Sequence, residues 1–563
     1  MKKHKDFELK FTNGLPLEKS NYPGLNESSY IKKKGSIQKE GAMPLACDVL
    51  VEQDTPVQLR DGVTIRVDVY RPVDCKDCPV IMWYAPYGKR GSFLNYDNFN
   101  HPTRMDIPRE WEDGLNSFEA PNPSYWVFHG YAVISPDPRG VGSSEGYAHA
   151  WGSQQSEDEY DLIEWAASQE WSNGKVGLTG DSYLAMSQYA VAGVRPPHLS
   201  AIAPWEGAFS PYKDTMARGG IKDMGFHQSL TSTLFTKTKV EDVGTMIMEH
   251  PFYDAYWIDK EPDIANVEVP AYVVASWTNA IHSQGTIQAF LEMGSTEKWL
   301  RISNTHEWTD YYNPEHVEDL RKFFDYYLKG ISNGWENTPK VRMSVLNPGH
   351  EDIVDRPETV FPEPEEMDLY LHNDNGILTL DTKPQETESI VSYNASDKEG
   401  IKFQFSITDE LQWIGYGSLR LYVEIEEGND MDVYAYARKV DADGKVQMPK
   451  VVTDRFYPGP NGQLRVSARK LDESKSTLMR PVLAQTDEEK IQPHEIVQIE
   501  IPFWPFGMKW EKGEMLELQI CPEGKIIRPE FPQLPQIPTI GTGNQIIHIG
   551  GKYDCKLRIP VCK

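Results

Sequence analysis

One short stretch restricts the fold of this chain more than its length or composition does. An apolar strand, Lys175-Val176-Gly177-Leu178, runs into Thr179-Gly180-Asp181-Ser182-Tyr183-Leu184-Ala185, and helical spacing continues from Ser182 to Gly193. A serine on a sharp strand-to-helix turn projects its hydroxyl above a sheet. The following backbone N–H groups and the helix dipole then face any oxyanion formed on a substrate. Such a turn needs small neighbours. Gly180 supplies one, but Leu184 stands where the pattern G-x-S-x-G has its second glycine. A serine at a strand end is also an ordinary helix N-cap, so the local sequence leaves both uses open.

The surrounding rhythm supports the setting. Pro79 to Tyr84, Tyr131 to Ser135, Gly174 to Leu178 and Ala271 to Ala275 are short apolar runs of the buried kind. Helical spacing separates them at residues 157–169 and 182–193, which predicts a parallel, wound α/β sheet. An Asp-Gly between alternating segments after Val57 predicts a hairpin ahead of it. Residues 206–269 break the rhythm with a polar, aromatic-dotted stretch, expected as a helical cap. The α/β texture resumes at 270 and ends with the helix Leu320 to Gly330. Beyond it, SLRLYVEIE and HEIVQIEIPF alternate like strands of an antiparallel β-sandwich. The expected division is therefore an N-terminal extension (1–45), an α/β domain (46–205 and 270–335), a cap (206–269), a Pro-rich acidic linker (336–365) and a sandwich (366–563).

Six segments in order resemble the cocaine esterase and X-prolyl dipeptidyl aminopeptidase family of serine hydrolases. They are Arg60-Asp61-Gly62 with the strand to Tyr70-Arg71-Pro72; Pro86-Tyr87-Gly88-Lys89; Asp137-Pro138-Arg139-Gly140-Val141-Gly142-Ser143-Ser144-Glu145-Gly146; the turn Gly180 to Ala185; Phe323 to Gly330; and Gly462 to Ser467. The resemblance covers roughly residues 55 to 563 and departs from the turn pattern at Ala185. It implies an α/β-hydrolase fold with an inserted helical cap and a C-terminal jelly roll, with Ser182 as the nucleophile. It also implies an oxyanion hole made by the Tyr87 hydroxyl and the Tyr183 N–H. Asp137 and Arg139 are read as supports of a tight turn, because Gly, Pro and Ser crowd around them.

A histidine on the loop after a late strand is where this fold places its general base, and His306 follows WLRIS in that position. His227 and His250 fall in the cap. His282 falls in the helix after the preceding strand, and each of the three is expected as a surface or pocket residue. The family's acid is an aspartate in a G-W-Y-D type motif, where this chain has Ser276-Trp277-Thr278-Asn279. An amide oxygen can still accept from a histidine ring, so Asn279 is expected to orient His306 without the charge that stabilises imidazolium. On that reading an aspartate at 279 would keep or raise activity. Glu307 and Asp310 are the alternative acids.

Charge and cysteine content limit the remaining choices. A formal charge of −27 disfavours nucleic acid and anionic membranes as partners. No segment has the length and apolarity of a spanning helix or a signal h-region, which leads us to expect a soluble cytoplasmic protein. Six cysteines do not suggest a disulfide framework, and Cys75-x-x-Cys78 is expected as an ordinary loop with neither metal nor cofactor. A homo-oligomer is compatible with the sequence. The expectation that results is a serine hydrolase that cleaves a small carboxylic ester through an acyl-enzyme, using Ser182, His306 and Asn279. Its rivals are an X-prolyl dipeptidyl aminopeptidase or amide acylase, and an impaired hydrolase acting as a binding or scaffold protein.

Overall fold

The computed structural model describes residues 7–92, 94–99, 101–525 and 537–562, with 227–230 and 232 described by their backbone alone. Eleven strands form the first sheet: β1 (Ser28–Lys32), β2 (Val49–Gln58), β3 (Thr64–Arg71), β4 (Cys78–Met82), β5 (Ala132–Asp137), β6 (Ser172–Asp181), β7 (Leu199–Trp205), β8 (Ala271–Ser276), β9 (Lys298–Ser303), β10 (Val341–Val345) and β11 (Ile353–Glu358). Their spatial order is β11-β10-β9-β8-β7-β6-β4-β5-β3-β2-β1. The pairings from β5 across to β10 are parallel, and antiparallel pairs close both edges.

Every residue of β4, β5 and β8 is buried, which is why these strands are continuous apolar runs rather than alternating ones. The helices that cover the sheet include α1 (Pro123–Phe128), α2 (Gly152–Ala167) and α3 (Tyr183–Gly193). This is the α/β-hydrolase arrangement, in which side chains at the carboxyl ends of parallel strands converge on one rim. Between β7 and β8 the chain builds a π-helical turn (Pro211–Met216) and helices α4 (Met224–Thr233), α5 (Val243–Glu249) and α6 (Ala255–Lys260). After β8 come α7 (Ser283–Glu292), then α8 (Glu307–Tyr312) and α9 (Pro314–Lys329) after β9. Helix α9 buries Leu320, Phe323, Phe324 and Leu328 and ends on Gly330 in the left-handed region.

Three expectations need correction. The linker assigned to 336–365 supplies two strands of the sheet: β10 runs parallel to β9, and β11 returns antiparallel to β10. Prolines and acids on either side hid a five-residue strand whose burial is nearly complete. The N-terminal extension contributes β1 to the sheet edge, and Phe11–Thr12 and Leu15–Pro16 pair with strands of the cap. An edge strand with exposed faces needs few apolar residues, so its polar sequence did not announce it. Cys75 and Cys78, expected as an ordinary loop, are joined as a disulfide leading into β4, since the turn brings their Cα atoms to 6.0 Å.

The second sheet has 12 strands in sandwich form and is built around the long antiparallel pair Leu411–Ile425 and Val497–Trp510. It abuts the segment that follows β8. The Trp277 indole donates to the Ser344 carbonyl at 2.6 Å, and a Cβ on Gly507 would lie 2.4 Å from the Trp277 ring nitrogen. Glycine at 507 is thus what lets the sandwich reach the end of β8.

Candidate active site

Ser182 connects β6 to α3 with φ 60° and ψ −116°, a conformation unfavourable for any residue with a side chain. The turn is held by its backbone: Ser182 N–H donates to Trp205 O at 3.0 Å, and Ala185 and Met186 N–H donate to Ser182 O. Leu184, in the place of the missing glycine, is accommodated by Gly180. A Cβ on Gly180 would lie 2.4 Å from the Leu184 side chain, and Gly180 has φ +142°. The Ser182 side chain makes no capping hydrogen bond to α3. Its Oγ instead lies 3.0 Å from His282 Nε2. The hydroxyl is thus not spent as an N-cap, which would have turned it onto the helix.

Tyr87 follows β4, with its hydroxyl within hydrogen-bonding reach of the Ser182 side chain. Burial, together with the charge of Glu119, pushes its phenol well above the usual tyrosine range, so it remains a donor. Its ring packs edge-on against Phe118 and Tyr183, at 5.3 and 6.0 Å. The Tyr183 side chain is fastened away from the nucleophile: its hydroxyl donates to Gln155 Oε1 at 2.7 Å and accepts from Trp151 N–H at 2.9 Å. This fixes the first turn of α3, where the Tyr183 N–H has no acceptor within the helix.

The orienting bond expected from Asn279 to His306 does not form. Asn279 Oδ1 accepts from the N–H groups of Ile281 and His282 at 3.0 and 3.1 Å, and its own N–H donates to Ser283 Oγ at 3.1 Å. This is a side-chain-capped turn that starts α7, and it aims His282 at Ser182. Asn279 Nδ2 donates to Glu307 Oε2 at 2.5 Å. An amide suits this position because it accepts on one side and donates on the other.

His306 caps α8, with Nδ1 accepting from Trp308 N–H at 3.3 Å and Nε2 3.9 Å from Glu307 Oε1. It lies close enough to His282 to disfavour a positive charge there. Burial and then that neighbour push His282 down to about 3, and His282 Nδ1 is buried with no hydrogen-bond partner among the described residues. Of the two alternative acids, Glu307 is the one beside His306. Asp310 is instead tied to Arg301, to the Trp205 indole at 2.9 Å and to His316 at 2.9 Å. His250 pairs with Asp254 at 2.6 Å within the cap, and the His227 side chain lies outside the described residues. Asp137 pairs with Lys89 at 2.6 Å, and Arg139 pairs with Asp158 on α2 at 2.7 Å.

Sequence reasoning therefore passed over His282, the ring in contact with Ser182. The signal was Asn279 itself, an Asx-turn residue placed just ahead of the helix that His282 opens. Among the described residues no group of three or more His, Cys, Asp or Glu side chains could hold a metal, and no helix is long and apolar enough to cross a membrane.

Residues 61–241 match the X-Pro dipeptidyl-peptidase (S15 family) domain, and residues 333–558 match the X-Pro dipeptidyl-peptidase C-terminal non-catalytic domain. The cocaine esterase of Rhodococcus sp. strain MB1 Bresler is 24% identical over 409 residues, which cover 61% of this chain and 67% of that protein. A solved CocE/NonD family hydrolase from Staphylococcus aureus is 31% identical, with a TM-score of 0.85 over 92% of this chain and 94% of that one. An α-amino acid ester hydrolase shares the fold at 15% identity, with a TM-score of 0.67 over 91% of this chain and 97% of that one.

Proposed function

The chain belongs to the CocE/NonD family of hydrolases, and from that premise we propose that it cleaves a small carboxylic ester through an acyl-enzyme on Ser182. The observation that carries this reading is Ser182 Oγ, held on a strained turn 3.0 Å from His282 Nε2. As Oγ attacks the ester carbonyl, its proton passes to His282 Nε2. His306 lies beside His282 and stands 3.9 Å from Glu307, and we assign it a supporting part in the base's role. Tyr87 and the Tyr183 N–H stabilise the oxyanion. His282 then gives that proton to the departing alkoxide, and water repeats the cycle on the acyl-enzyme.

The preference for esters over amides follows from the charge on this base. His282 has no acceptor on Nδ1 among the described residues, so the imidazolium in contact with the leaving group is poorly supported. An alcohol leaves with little proton transfer, whereas an amine requires it. Burst kinetics with a nitrophenyl ester test the mechanism. An acylation burst is expected in the wild type, and it should be slowed by about 10² or more in both His282→Ala and His306→Ala. A normal burst in His306→Ala would leave His282 as the sole base, and a normal burst in His282→Ala would remove the contact from the mechanism.

A further inference from the structure

A cavity of about 390 Å³ lies between the cap, helix α7 and the β-sandwich. Neither Ser182, Tyr87, His282 nor His306 lines it. Its walls hold two cations, Lys213 and Arg218, that no carboxylate among the described residues neutralises within 4.0 Å. Arg218 is 8% exposed and lies 3.6 Å over the Trp504 ring, with Nη2 bonded to Asn461 Oδ1 at 2.8 Å and to its carbonyl at 3.2 Å. Lys213 donates to the Leu483 carbonyl at 3.3 Å and stands 4.4 Å over Tyr253. Burial lowers the pKa of both groups. A guanidinium cannot shed its proton, so a buried one normally acquires an anion.

The acids that share the cavity are engaged elsewhere. Glu292 pairs with Arg480 at 3.0 Å, and Glu261 accepts from the Tyr253 hydroxyl at 2.5 Å. Asp214 Oδ2 accepts the N–H groups of Phe209 and Ser210, both at 2.8 Å, and burial pushes its carboxyl up to about 7. The Gln284 side chain and the Tyr416 hydroxyl lie within reach of each other, and Arg480 Nε is buried with no hydrogen-bond partner among the described residues. A pocket with spare cations, buried polar groups and aromatic walls has the chemistry of a small-molecule site.

We propose that this cavity binds a small organic carboxylate. Its anionic end would sit between Arg218 and Lys213, its apolar body against Trp504 and Phe503, and a polar substituent at Gln284. Gln284 is on α7 two residues beyond His282, so an occupant would touch the same helix that presents the base.

The test is calorimetric titration of Ser182→Ala protein with acetate, succinate, benzoate and phenylacetate, and with phenylacetamide as the uncharged match. Because it needs no turnover, its outcome is separate from that of the esterase reading. The expectation is saturable binding of at least one carboxylate, preference over the amide by about tenfold or more, and a similar loss in Arg218→Gln. Lys213→Gln carries the same test should Arg218→Gln fail to unfold cooperatively. Competitive inhibition of wild-type ester turnover by the bound carboxylate would make the cavity a substrate or product subsite, and binding without competition would make it an effector site. No binding by any of the four acids, equal binding of phenylacetamide, or undiminished binding by the folded variants overturns the proposal.

Discussion

Asn279→Asp separates this structure from an ordinary serine-histidine-aspartate arrangement. In the wild type, Asn279 Nδ2 donates to Glu307 Oε2 at 2.5 Å, and both residues are buried. The substitution replaces that donor with a carboxylate oxygen, while the other oxygen can still accept from Ile281 and His282. Two unit negative charges about 3 Å apart repel by about 5 kcal/mol at an effective permittivity of about 20. The pair avoids most of this by binding one proton, so one carboxyl rises several units above its unfolded value of about 4. A folded-state pKa raised above the unfolded one gives a contribution that is present at low pH and lost as pH climbs through the raised value. The variant should therefore unfold near the wild-type temperature at about pH 4 and fall progressively below it toward pH 8, by about 2 kcal/mol or more. Ester turnover should fall with it, because Glu307 would share a proton with the introduced carboxylate instead of facing His306 alone. Thermal unfolding and nitrophenyl ester turnover at matched pH values measure both effects. A variant as stable and active as the wild type at pH 8, or one whose relative stability rises with pH, would refute the reasoning and restore position 279 to the acid's role.

Tyr87→Phe removes one oxyanion donor and should lower turnover by about 10² to 10³ with little change in KM; a loss under about threefold would remove Tyr87 from the mechanism. His282 is held neutral down to about 3 by burial and by His306, below its unfolded value of about 6.5. Acid should therefore destabilise the wild type as pH falls from about 6.5 toward 3, and His282→Gln should flatten that part of the stability profile. Parallel profiles would contradict the shift. Gly180→Ala places a methyl 2.4 Å from Leu184 at φ +142°, so the variant should lose more than about 1 kcal/mol and the Ser182 geometry with it. Gly180→Ala together with Leu184→Gly should recover part of the loss in a chemical-unfolding series.

What the sequence disclosed depended on how local each feature is. The turn at Ser182 is carried by neighbours in the chain, and the Tyr87 segment follows directly from a buried strand, so both could be read without a structure. The sheet was legible in its apolar runs, but β10 was not, because a five-residue, mostly buried strand between prolines and acids resembles a linker until β9 is beside it. His282 was missed for a different reason. Its contact with Ser182 spans 100 positions and depends on how the Asn279 turn aims the start of α7, a direction that periodicity does not encode. The same turn explains the misreading of Asn279: resemblance to the family placed an acid's role there, while the amide is used for capping and for holding Glu307.

Peptide mapping of the protein after reaction with a fluorophosphonate tests the central claim most directly. The account predicts a single phosphonyl adduct on the peptide carrying Ser182, and none on folded Ser182→Ala. An adduct on another serine, or undiminished labelling of the variant, would contradict it.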